Sequence, residues 1–173
     1  MKKTTSSLQH GSSLIEVLVT ILILSFGMLS LAGMMAYAVQ LPKLSAYRAT
    51  AMMLATGHVE RMRSNIAGYT AGAYNETMSF GATPATASCS YPNCDAASIA
   101  AQDRSVSSAE MRRELPLGTM RMICNGASCA TREGDLWVMW QEPSTFAAVN
   151  QANDECPAGI TGAPRCIHIR FKL

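Results

Sequence analysis

The side chain with the sharpest chemical demand is Glu16. It heads a run of 23 residues, Val17 to Val39, that carries no formal charge. Moving a carboxylate toward hydrocarbon costs roughly 2.5–3.5 kcal/mol at the centre of a bilayer and less at its surface, so Glu16 needs a proton or a counter-charge. Gly11 stands five residues upstream, and the leader that ends on it, MKKTTSSLQHG, holds two lysines and no acid.

The second reactive set is six cysteines, Cys89, Cys94, Cys124, Cys129, Cys156 and Cys166. Six thiols allow fifteen pairings, and the sequence leaves that map open. They fall into three neighbouring pairs, and this local pairing is the expectation. Each loop so closed contributes on the order of 2–3 kcal/mol by constraining the unfolded chain. The rival is a zinc ion held by the two Cys-x4-Cys pairs. That spacing lies at the edge of what structural zinc sites use, and export to an oxidising compartment favours disulfides. His58 and His168 stand at no catalytic spacing from a nucleophile, and no Gly-x-Ser-x-Gly, His-Glu-x-x-His or phosphate-binding glycine loop occurs. Asp95, Asp103, Asp154 and Glu155 lack the alternating spacing of a calcium loop. The residues describe no enzyme, metal centre or cofactor site.

The elements that carry these groups follow from periodicity. Ser12 to Val39 reads as a helix long enough to cross a hydrocarbon core about 30 Å thick. Pro42 is expected to kink it on leaving the bilayer. The helix then resumes with an apolar stripe of Leu44, Tyr47, Ala51, Leu54, Ala55, His58 and Met62, with Arg48, Glu60 and Arg63 off it. On this reading the whole helix is roughly 78 Å long, and His58 is a contact between it and a sheet. Residues 64–97 have no period, and Asn75-Glu76-Thr77 within them reads as solvated loop. From Ala96 to Glu114 the composition returns to helix formers, and a short helix is expected from Asp103 to Glu114. Three strand candidates follow at 117–124, 135–142 and 165–172. The second is apolar on both faces and therefore central; the third alternates, with Ile167, Ile169 and Phe171 inward and His168, Arg170 and Lys172 outward.

At 173 residues the chain has room for one modest domain beyond such an anchor. Loss of the leader would take the formal charge from +2 to zero, which argues against a dedicated nucleic-acid surface. Two plainer readings of the N-terminus stay open: an ordinary secretory signal cut after Ala38, and an uncleaved anchor.

The basic leader, Gly11, the series Ser-Ser-Leu-Ile-Glu-Val-Leu and the apolar helix together resemble the class III signal of type IV pilins. The resemblance implies that a prepilin peptidase cuts after Gly11 and that the new N-terminal residue, Ser12, is N-methylated. It also implies that Glu16, fifth in the mature chain, pairs with the amine of Ser12 on an adjoining subunit and sets axial register. The family usually has phenylalanine where Ser12 stands. The series LATGHVERMRSN, the Leu-Pro-x-Gly before a strand, the Trp-x-x-Trp strand and the cysteine opening the last strand resemble minor pilins of the PilV type.

What the resemblance implies is an α+β type IV pilin fold. Its long N-terminal helix, half membrane-spanning and half amphipathic, packs on an antiparallel sheet of about four strands. The divisions are a leader at 1–11, a membrane and filament-core helix at 12–41, its amphipathic continuation at 42–66, and a disulfide-bonded head at 67–173. Implied partners are the prepilin peptidase, other minor pilins and the major pilin, the inner membrane and its assembly platform, with direct nucleic-acid binding not indicated. The protein would sit in the inner membrane with its head in the periplasm, then at the pilus tip. It would prime or cap pilus assembly and so support twitching motility, adhesion or DNA uptake. The alternative is a minor pseudopilin of a type II secretion system.

Overall fold

Helix α1 runs without a break from Leu14 to Ser64, in a computed structural model that describes residues 13–90, 92–126, 129–142 and 155–173, with Gln40 and Leu41 by backbone alone. Pro42 lies inside α1 and does not end it. One missing N–H removes one rung, and the turns on either side continue the helix.

The chain divides into two units, Met1–Lys43 and Leu44–Leu173. In the first, every described side chain from Ser13 to Val39 is exposed, large apolar ones such as Leu14, Phe26 and Met35 included. This part of α1 is long and apolar enough to cross a membrane.

In the second unit the stripe on α1 faces a core. Ala51, Ala55, Val59 and Met62 are buried, with Tyr47 and Leu54 partly so, whereas Arg48, Glu60 and Arg63 are exposed. Two further helices follow, α2 at Ile66–Thr70 and α3 at Ala96–Glu114. Among the described residues three antiparallel strands follow, β1 at Thr119–Cys124, β2 at Glu133–Trp140 and β3 at Arg165–Lys172, in the order β1-β2-β3.

Register sorts the side chains into two faces. Leu136 lies opposite Met122 and Ile169, Val138 opposite Met120 and Ile167, and Gly134 opposite Cys124 and Phe171. These rows face the core, where Met120, Met122, Leu136 and Val138 are buried. A Cβ on Gly134 would come within 2.5 Å of Tyr69 Oη and 2.8 Å of Phe171 Cζ, so the central strand needs glycine where Tyr69 crosses it. The opposite face carries the rows Arg121–Trp137–His168 and Ile123–Asp135–Arg170.

The structure differs from the sequence expectations in four places. The described sheet has three strands, not about four; on the outer side of β1 stands a single bridge from Glu76 to Met122. The connection after α1 is not wholly irregular, because Asn65 caps α2 by accepting from Gly68 N–H at 3.2 Å. Glu76 is no free loop acid: Arg104 donates to its carboxylate at 2.9 Å. Helix α3 starts at Ala96 rather than Asp103, because Asp95 accepts from Ser98 N–H at 2.7 Å and caps a run of Ala and Ser.

Candidate functional site

Glu16 stands in the first turn of α1, where an acidic side chain suits the positive end of the helix dipole. Its N–H and that of Val17 both donate to Ser13 O, at 2.9 and 3.3 Å. The hydroxyls of Thr20 and Ser25 donate back to Val17 O and Ile21 O at 2.8 and 2.7 Å. Both donors are thus satisfied within the helix, which is what an apolar environment requires of them. Glu16 remains the one charged side chain between Ser13 and Val39. On one side of this segment Leu18, Ile21, Leu22, Phe26 and Leu29 line a shallow apolar groove with Ser25. Such a surface can be covered by lipid tails or by similar helices. Gly11 and Ser12 lie outside the described residues.

The head holds two polar clusters that were not legible as sets. In the first, between α1, α2 and α3, His58 Nδ1 lies 2.8 Å from Ser107 Oγ, and the imidazole meets the Tyr74 ring edge-on at 6.0 Å. His58 therefore contacts α3 and Tyr74. Tyr74 donates to Asp103, and Asn65 Nδ2 donates to Tyr74 Oη at 3.2 Å and Ala96 O at 2.8 Å. Burial, then the nearby cations of Arg61 and Arg104, push the His58 pKa down to about 4. Burial and the bond to Asp103 raise that of Tyr74. Asp103 is bonded to tyrosine, and His58 Nε2 is buried with no partner among the described residues, so these residues do not extend the pair with Ser107 into a Ser-His-Asp relay. The cluster's bonds tie α1 and α3 to Asn65 and Tyr74.

The second cluster lies on the outer sheet face. Asp135 takes His168 Nε2 at 2.7 Å and Arg170 Nε at 3.1 Å, and His168 stacks on Trp137 with centroids 4.8 Å apart. Burial opposes ionisation of Asp135, but the bonds from Arg170 and His168 outweigh it and hold its carboxyl below the usual range. On the core side, burial and then the Asp135 and Glu133 carboxylates push the Tyr69 phenol up to about 12, and it donates to Glu133 O at 2.9 Å.

The structure joins Cys89 to Cys94, Cys124 to Cys129 and Cys156 to Cys166, with Cα atoms 5.4, 5.2 and 5.2 Å apart. The first closes a loop ahead of α3, the second sits between β1 and β2, and the third ties down the start of β3. Among the described residues no three His, Cys, Asp or Glu side chains converge to hold a metal ion.

Comparison with known proteins adds one finding. Residues 6–32 match the family described as the prokaryotic N-terminal methylation motif. No curated protein and no solved structure matches the chain. The match supports a type IV pilin or pseudopilin, a structural subunit in kind, and implies processing by a prepilin peptidase and assembly with other pilins. Together with the apolar helix it supports membrane anchoring.

Proposed function

We infer that this protein is a minor pilin of a type IV pilus, of the PilV type, that helps to prime or cap filament assembly. The observation that carries this reading is the N-terminal methylation motif at residues 6–32, with Glu16 opening the single helix that continues to Ser64 in the head. Cleavage follows Gly11, and Ser12 becomes the methylated N-terminus. Before assembly the apolar part of α1 lies in the inner membrane with the head in the periplasm. On assembly it leaves lipid for the packed helices of the filament, an exchange of one apolar environment for another. Glu16 then finds its counter-charge in the Ser12 amine of an adjoining subunit, and that pair sets axial register. The head is presented outward at the pilus tip, and through the pilus it serves twitching motility, adhesion or DNA uptake.

The test is the intact mass and N-terminal sequence of the membrane-bound protein from cells with and without active prepilin peptidase. A peptidase-dependent start at Ser12 is the expected result. A start at Val39, or an intact Met1 in both strains, would end the reading. Since a pseudopilin shares the motif, recovery in sheared pili decides for the pilus, and a secretion defect with normal pili decides for a type II secretion system.

A further inference from the structure

The two edges of the sheet differ in their free hydrogen-bonding groups. On β1 they are partly taken: Met122 exchanges two 2.9 Å bonds with Glu76, and Cys124 N–H donates to Asn75 Oδ1 at 3.0 Å. On β3 those from His168 onward have no partner among the described residues. Leu173 N–H donates to Arg132 O at 2.9 Å, toward the β2 side. Backbone groups alternate sides along a strand, so those of His168, Arg170 and Lys172 point away from the sheet. No described residue bonds to them.

Two more observations say what this edge would accept. On the outer face its side chains are successively basic, His168, Arg170 and Lys172. Arg170 and Lys172 keep 70% and 72% of their side-chain surface exposed although they pair with Asp135 and Glu133. On the inner face Ile167 and Ile169 are only partly buried, while their cross-strand neighbours Val138 and Leu136 are wholly covered. The edge thus has basic groups above it, uncovered apolar groups below it, and unused donors and acceptors between.

We propose that the β3 edge takes up, by strand addition, an extended segment of a different protein chain in which acidic and apolar residues alternate. The added backbone completes the hydrogen-bond ladder, the acids face His168, Arg170 and Lys172, and the apolar residues cover Ile167 and Ile169. A second copy's β3 is turned away, because antiparallel pairing would set the same basic row against itself. The basic row guards the edge against like strands, as charged edges commonly do, and admits an acidic one. This edge chemistry is independent of how the N-terminus is processed.

The test uses the full chain in detergent micelles and reads amide hydrogen exchange residue by residue. The probe is an end-blocked heptapeptide of alternating glutamate and valine, with alternating lysine and valine as control. Exchange at His168, Arg170 and Lys172 is expected to slow about tenfold with the acidic probe and not with the basic one. Lys172→Pro removes an outward N–H that the native ladder does not use, and is expected to weaken that protection at His168 and Arg170. No protection by the acidic probe, equal protection by both probes, or full protection in Lys172→Pro would each overturn the proposal.

Discussion

His58 is held neutral because an imidazolium there would be stranded in the packed head beside Arg61 and Arg104. Its pKa is about 4 when folded and about 6.5 when unfolded. Between those values the unfolded chain binds a proton that the folded chain does not, so stability falls as pH drops from above 6.5 toward 4. The full loss is roughly 3 kcal/mol at about 1.4 kcal/mol per pKa unit. Urea midpoints for wild type and His58→Gln at pH 7 and pH 4 check this: wild type should lose more than the variant, whereas equal losses would place the acid sensitivity elsewhere. Asp135 contributes separately. Its lowered pKa stabilises the fold above about 3.8, and that contribution is lost only as pH falls further. At the other end of the chain, Glu16→Ala removes the charge from the head of the apolar run. It should leave membrane insertion intact and reduce recovery in sheared pili at least tenfold; normal recovery would show that register does not need the carboxylate.

At the scale of elements, the corner between β1 and β2 is held from several sides. The Cys124–Cys129 bond closes it, Asn75 Nδ2 lies 3.6 and 3.7 Å from the two sulfurs, and Asn75 Oδ1 takes the Cys124 N–H at 3.0 Å. Replacing both cysteines by serine should lower stability by about 2 kcal/mol, the loop-closure entropy of so short a ring. Denaturant midpoints of the double variant measure it, and a loss under about 0.5 kcal/mol would mean that Asn75 and the ladder hold the corner unaided. Helix α3 shows another kind of support. Its buried positions, Ala100, Ser107, Ser108 and Met111, are mostly small, so close approach and the bond from Ser107 to His58 fix it more than apolar bulk does.

For the molecule as a whole, two solvents divide the chain. Every buried core residue, from Ala51 to Phe171, belongs to the unit Leu44–Leu173, while the apolar side chains from Leu14 to Val39 are exposed. A chain beginning at Leu44 should therefore fold in plain buffer with one cooperative transition, at a denaturant midpoint close to that of the full chain in detergent. Near-ultraviolet circular dichroism and the unfolding curve decide it. A fragment without fixed aromatic signals would mean that the head depends on the apolar part of α1.

Local pattern in the sequence was enough for the long helix, the apolar face of its second half, the central place of β2 and the inward side of β3. The second half of the helix and β3 alternate in residue type at the period of the element, while the first half of the helix and β2 are largely apolar all round. In each the information is contained within the segment itself. Tertiary structure alone decided the rest. The start of α3 is a run of alanine and serine with no contrast between faces, so only packing decides which side of it is buried. Asn65 joins its polar cluster only when Ala96 and Tyr74 arrive beside it. Glu76 becomes a bridge only against Met122, and His58 finds Ser107 across 49 residues of chain. A polar side chain in a core is specified by its partner, and a partner that far away leaves no trace in the residues next to it.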